Sequence, residues 1–264
     1  MCGIAGVMNR RESLAPPEFD QLSVMAGALS HRGPDEFGVY RDGRAGLAHA
    51  RLSIIDLATG QQPLSNERGT LWITFNGEIF NYLELRSDLI ERGHQFKTRS
   101  DTEVIVHAYE EWGAEAFRRL NGQWAIGLWD ADRGELILAR DPFGVRPLYV
   151  AEHAGRLSFA SEVKALFAGD PTLPRQLSAA GLDQLFTFWS PVAPQTVFEG
   201  IEEVEPGTVR IYSTNSVSKH RSYDPAFPAH EASQFQGSLD EAVEEAAMAC
   251  TVMPRAWAAL IDTG

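Results

Sequence analysis

The sequence predicts an α+β fold in which antiparallel sheets are covered by helices. Short, apolar, β-prone runs arrive in pairs joined by tight turns. Residues 124–130 and 135–140 flank Asp132-Arg133-Gly134, and residues 148–151 and 157–160 flank Gly155. Helical patterns are few and do not alternate regularly with single strands, which is the order antiparallel sheets leave in a chain. The 264 residues, 44% hydrophobic and 22% charged, suffice for a core and fit one large domain or one domain plus an extension.

The elements follow in order. Residues 4–8 are short, apolar and β-prone. Residues 17–29 place Phe19, Leu22, Met25, Ala26 and Leu29 at helical spacing, and residues 30–35 break that helix. Residues 46–55 and 71–75 read as strands around a polar loop, 59–69. A helix is expected over 81–92, with a turn at Gly93. Residues 101–112 and 114–120 are also helical, ended by Asn121-Gly122. After the two hairpins come a helix over 178–186, a Pro-marked loop and a strand over 207–212. These elements make a first domain over 2–212. The composition then shifts: 213–237 is polar, contains Pro225 and Pro228, and reads as a linker. Over 238–264, Ser238-Leu239-Asp240-Glu241 has a capping-box pattern. It opens a helix with Leu239, Val243, Ala246 and Cys250 on one face, and residues 256–261 read as a buried strand.

Charge and cysteine usage exclude several classes. The 23 Lys+Arg against 36 Asp+Glu give a net charge of −13, which argues against a nucleic-acid or anionic-membrane surface. Cys2 and Cys250 make neither a disulfide framework nor a zinc site, so no metal is expected. No apolar run reaches membrane-spanning length. Asn9-Arg10-Arg11-Glu12 comes too early for a signal peptide, so a cytoplasmic protein with a free thiol is expected.

Cys2 is the most informative residue. Removal of Met1 would give one residue both a thiol and an α-amine with a pKa of roughly 7.7–8.0, a nucleophile beside its own base. A thiol attacking an amide needs oxyanion donors and charges that hold the substrate's far end. Arg51, a polar intrusion in an apolar strand, could bind a carboxylate through two hydrogen bonds. Asn76-Gly77 could supply an amide and a backbone N–H, and Glu78 and Asp101 could hold an ammonium. Each has a plainer reading: a structural ion pair for Arg51, a hairpin turn for Asn76-Gly77, an N-cap for Asp101. Together they form the set that an α-amino-acid amide requires.

The segments Met-Cys-Gly-Ile-Ala-Gly, His31-Arg32-Gly33-Pro34-Asp35, Arg51-Leu52-Ser53-Ile54-Ile55-Asp56, Asn76-Gly77-Glu78-Ile79-Phe80-Asn81, Ser100-Asp101-Thr102-Glu103 and Arg140-Asp141-Pro142-Phe143-Gly144-Val145-Arg146-Pro147 carry a resemblance. They are similar to the class II glutamine amidotransferase domain, in particular that of the glutamine-hydrolysing asparagine synthetase family. The resemblance covers roughly 2–212. It implies a four-layer αββα sandwich of the N-terminal-nucleophile hydrolase type. It further implies that Cys2 attacks glutamine to form a thioester, that Asn76 and Gly77 form the oxyanion hole, and that Arg51, Ile54, Glu78 and Asp101 bind the substrate. Arg32 would organise the site without touching substrate. The glutaminase step would use no cofactor, while ATP and magnesium would belong to a synthetase domain.

That family continues into an ATP-pyrophosphatase domain with a Ser-Gly-Gly-x-Asp-Ser phosphate loop. Here the matching place reads Leu260-Ile261-Asp262-Thr263-Gly264, so 238–264 is expected to be a truncated, degenerate start of that domain. The expected function is release of ammonia from L-glutamine for a synthetase partner, with a homodimer also open. Two rivals remain: a non-catalytic scaffold, and an amide-donor subunit of a specialised biosynthetic route.

Overall fold

Period-two alternation sorts the strands into two six-stranded sheets. The computed structural model describes residues 1–53 and 60–223, together with Ser238 and Glu241. In chain order the elements are β1 (Gly3–Asn9), α1 (Phe19–Gly27), β2 (Glu36–Arg41), β3 (Ala45–Arg51), β4 (Leu64–Ser65), β5 (Leu71–Ile79), α2 (Tyr82–Glu91) and α3 (Asp101–Trp112). A 3₁₀ turn (Gly113–Arg118) leads to β6 (Gly122–Asp130), β7 (Glu135–Arg140), β8 (Tyr149–His153), β9 (Arg156–Ala160), α4 (Val163–Gly169) and α5 (Ala179–Phe188). Then come β10 (Ile201–Glu203), β11 (Thr208–Tyr212) and β12 (Val217–Arg221). One sheet runs β10-β8-β9-β1-β3-β2 and the other β12-β11-β7-β6-β5-β4. Every strand pair among them is antiparallel.

The apolar residues show why the sheets stack. On β1, Ile4 and Met8 face the other sheet, while Ala5 and Val7 face α1 and α4. On β5, Leu71, Ile73 and Phe75 pack under α2 and α3. Between the sheets lie Leu47, Trp129, Leu136, Leu138 and Phe159. The layers are therefore helix, sheet, sheet, helix, as the resemblance implies. Each such side chain stabilises the stack by roughly 1.5–3 kcal/mol, so this apolar part of the gap holds the sheets together.

Several expectations need correcting. Asn76-Gly77 is not a turn: β5 runs through it, with Asn76 opposite Ala125 and Gly77 opposite Trp124. Glycine is required there, since a Cβ at Gly77 would lie 2.2 Å from the Gln123 carbonyl oxygen. Residues 113–118 make a 3₁₀ turn where a helix is expected. The segment read as a linker contains β12, hydrogen-bonded to β11 from Val217↔Tyr212 to Arg221↔Thr208, so the sheet continues past Tyr212. Its exposed, polar side chains need only backbone pairing, and hydropathy therefore misses it. The expected helix and strand within 238–264 lie outside the described residues. Among the described residues no helix is long and apolar enough to cross a membrane.

Candidate active site

The alternation that buries the core also aims the polar residues. Cys2 shares the parity of Ile4, Arg51 that of Leu47, and Asn76 and Glu78 that of Thr74. All therefore point into the gap between the sheets. There the apolar filling gives way to a small cleft that opens to solvent. Cys2, Arg51, Asn76, Gly77, Glu78 and Asp101 all line it. Of the residues the sequence nominates, Ile54 lies outside the described residues.

Cys2 stands just before β1. Its Sγ accepts from the Leu52 N–H at 3.4 Å, and the thiol faces the Leu52 carbonyl at 3.6 Å. Burial pushes the thiol up, while the Leu52 hydrogen bond, the chain's amino terminus and Arg51 pull it down. Arg32 donates to the Cys2 carbonyl at 3.0 Å and pairs with Glu162 at 2.9 Å, which fixes the backbone that carries the thiol. Met1 also lines the cleft, so the Cys2 nitrogen is an amide while Met1 stays attached.

Asn76 is 1% exposed, and neither its Oδ1 nor its Nδ2 has a hydrogen-bond partner among the described residues. A buried amide with nothing to bond is costly, by roughly 1–3 kcal/mol, and such groups are rare in folded proteins. The neighbouring backbone edge is built for donation. The Phe75 N–H donates to Gln62 Oε1 at 2.7 Å and the Ile79 N–H to Asp101 Oδ2 at 3.1 Å, both away from β6. Strand alternation puts the Gly77 N–H on that same edge, between them.

The cleft separates its charges. Arg51 pairs with Glu36 at 2.7 Å, so the structural ion pair is real and the arginine also faces the cleft. Glu78 and Asp101 make the acidic part. Burial, then the charge of Glu78, lifts the Asp101 carboxyl to about 6, against hydrogen bonds from Ile79, Thr102 and Ser100. Burial also raises Glu78, against Arg146. The N-cap of α3 is Ser100, whose hydroxyl accepts from the Thr102 N–H at 3.2 Å. Asp101 is the first helical residue, with its Oδ2 on Ile79 and its carboxyl in the cleft wall.

Arg146 is the residue that sequence reasoning leaves without a role. Its Nε is buried and has no hydrogen-bond partner among the described residues, and its charge acts on Cys2 and Glu78. The stretch from Arg140 to Pro147 carries the signal, but its irregular backbone hides it. Asp141 accepts from the N–H groups of Phe143, Val145 and Arg146 at 3.0 Å each, and Gly144 takes a φ of +65°. His49, on the same inner face as Arg51, is pushed down to about 3 by burial and Arg51. It is therefore neutral, and its Nδ1 lies 3.0 Å from Thr74 Oγ1.

An αββα sandwich whose first strand delivers a thiol to the inter-sheet gap has the architecture of the N-terminal-nucleophile hydrolases. Within that class the chain belongs to the glutamine amidotransferase domain family, which matches residues 1–223. Asparagine synthetase 2 of Bacillus subtilis is 45% identical over 183 residues, covering 67% of this chain and 24% of that protein. Asparagine synthetase 1 of the same organism is 39% identical over 209 residues, covering 79% and 33%. The chain thus spans about a quarter to a third of these relatives. Among solved structures, glutamine phosphoribosylpyrophosphate amidotransferase from B. subtilis superposes with a TM-score of 0.59 at 21% identity, over 84% of this chain and 49% of that one, a likeness of fold.

Proposed function

We propose that this chain hydrolyses L-glutamine to L-glutamate and ammonia through a thioester on Cys2. The observation that carries the reading is the buried Asn76 amide, without a partner among the described residues, in the cleft that Cys2 lines, in a wall with basic and acidic parts. Glutamine's α-carboxylate would pair with Arg51 and its α-ammonium with Glu78 and Asp101, leaving its side-chain amide at the thiol. Attack by Sγ forms the C–S bond and places negative charge on the amide oxygen, where Asn76 Nδ2 and the Gly77 N–H donate. Collapse breaks the C–N bond. The Cys2 α-amine, free only once Met1 is removed, takes the thiol proton as Sγ attacks and hands it to the leaving nitrogen, which departs as ammonia. Water then cleaves the thioester and restores the thiol.

The step draws on no metal or cofactor in this reading. ATP and magnesium would serve only a synthetase centre that consumes the ammonia, in the cytoplasm. That centre, and any homodimer, belong to the proposal. The test is glutamate release by purified protein whose intact mass shows loss of Met1. Cys2→Ala should abolish release and labelling by an electrophilic glutamine analogue. Undiminished hydrolysis in Cys2→Ala would overturn the mechanism.

A further inference from the structure

On the helical layer over β5, two histidines and a glutamate converge outside the cleft. His107, fully buried, lies in the middle of α3, Glu110 follows one turn later, and His94 comes from the loop after α2. Glu110 Oε2 is 2.9 Å from His107 Nδ1 and 3.9 Å from His94 Nδ1. One donor atom from each of the three lies within 4.8 Å of the others. Ligands at about 2.1 Å around a tetrahedral ion stand about 3.4 Å apart, between the two observed distances. The imidazole centroids are 5.1 Å apart. Two imidazoles on one such ion would sit about 5 Å apart.

The remaining atoms of these side chains face further polar groups. His94 Nε2 faces Glu111 Oε2 at 3.3 Å. His107 Nε2, buried and without a hydrogen-bond partner among the described residues, faces Glu103 at 3.6 Å and Glu67 at 3.9 Å. Glu110 Oε1 accepts from Asn66 Nδ2 at 2.8 Å. A carboxylate behind each ligating imidazole is how metal sites fix ring orientation and tautomer. Arg68 pairs with Glu110 at 3.8 Å, and Arg92 is shared between Glu111 at 3.1 Å and Asp88 at 2.9 Å.

We propose that His94, His107 and Glu110 bind one divalent cation of the zinc type, with water in the fourth position. Two imidazoles and a carboxylate suit such an ion. The ion would tie the loop before α3 to the middle of that helix. Glu103, behind His107, also accepts from the Lys97 and Thr98 N–H groups at 2.7 and 2.6 Å. That loop delivers Ser100 and Asp101 to the cleft, about 9 Å along α3 from His107.

The test uses the untagged full chain carrying Cys2→Ser and Cys250→Ser, which removes competing thiols, stripped with chelator. Zinc chloride should bind at one equivalent by calorimetry and raise the thermal midpoint. Cobalt(II) should give the visible bands of a tetrahedral site, displaced by zinc. His94→Gln, on a surface loop, should fold with the parent's metal-free midpoint and lose both signals. Glu111→Gln should weaken zinc about 10–100-fold. Absence of one-equivalent binding in the parent, or full binding in His94→Gln, would overturn the site and leave the cluster as a buried ion-pair network.

Discussion

Two sets of buried polar side chains in this molecule use the same residue types to opposite ends. Arg140 donates to the carbonyls of Arg146, Val204 and Gly144 at 2.7–2.8 Å and pairs with Glu203 at 2.8 Å. Asp141, fully buried, accepts from four backbone N–H groups. In the cleft, by contrast, the Asn76 amide and the Arg146 Nε are buried without partners among the described residues, and Asp101 and Glu78 are carboxyls pushed upward by burial. Satisfied polar groups hold a scaffold. Unsatisfied ones are tolerated where a ligand completes them, which is why perturbed groups gather at functional sites. The first set supports the second, because Arg140 and Asp141 shape the loop that carries Arg146.

Substitutions can break this contrast. Asn76→Ala should lower kcat about 10²–10³-fold, the usual cost of losing one oxyanion donor. Its thermal midpoint should stay level or rise, since two unpartnered buried atoms disappear. Asp141→Ala should do the reverse in kind. Four orphaned N–H groups would cost roughly 3 kcal/mol even after relaxation, a fall in midpoint of about 6–12 °C for a chain of this size. Calorimetry on both variants beside steady-state kinetics reads the two effects apart. A midpoint drop in Asn76→Ala as large as that in Asp141→Ala would erase the distinction.

The ion pair between Arg51 and Glu36 sits between the two sets. Arg51→Met should raise KM for glutamine with a smaller change in kcat, because it removes a hold on the substrate's far end. Glu36→Gln keeps the guanidinium and should raise KM less. Equal effects would mean that Arg51 serves the strand ends and not the substrate.

The sequence makes much of this arrangement legible and hides the rest for identifiable reasons. Cys2, Arg51, Asn76, Gly77, Glu78 and Asp101 are readable because each breaks a local pattern: a thiol at the head of a strand, charges and an amide in apolar runs. All six reach one cleft. The Asn-Gly turn signal misleads because cross-strand packing against β6 overrides local preference, and glycine is needed there for close approach. The edge strands β2 and β12 escape because β2 has no fully buried residue and β12 is exposed along its length, which blurs hydrophobic alternation. Arg146 and Gln62 escape because loops position them. Only side-chain bonds to a distant backbone, such as Gln62 on Phe75, reveal where they point.

The smallest effect tests the acidic part of the cleft. Asp101 titrates at about 6 in the folded chain against an ordinary value of 3.8, chiefly through burial. The folded form therefore binds the proton more tightly. This carboxyl's contribution to stability is full below its ordinary value and is lost as pH rises through about 6. At neutral pH it is a buried charge that costs stability until an ammonium sits beside it. Glutamine should therefore raise the thermal midpoint more at about pH 7.5 than at about pH 5. Affinity should weaken up to tenfold per pH unit below about 6, as the carboxyl takes its proton. Asp101→Asn should bind glutamine weakly at both pH values and flatten the difference. A glutamine-induced shift in the parent that ignores pH across this range would place the substrate's ammonium elsewhere, and Asp101 would then join Asp141 as part of the scaffold.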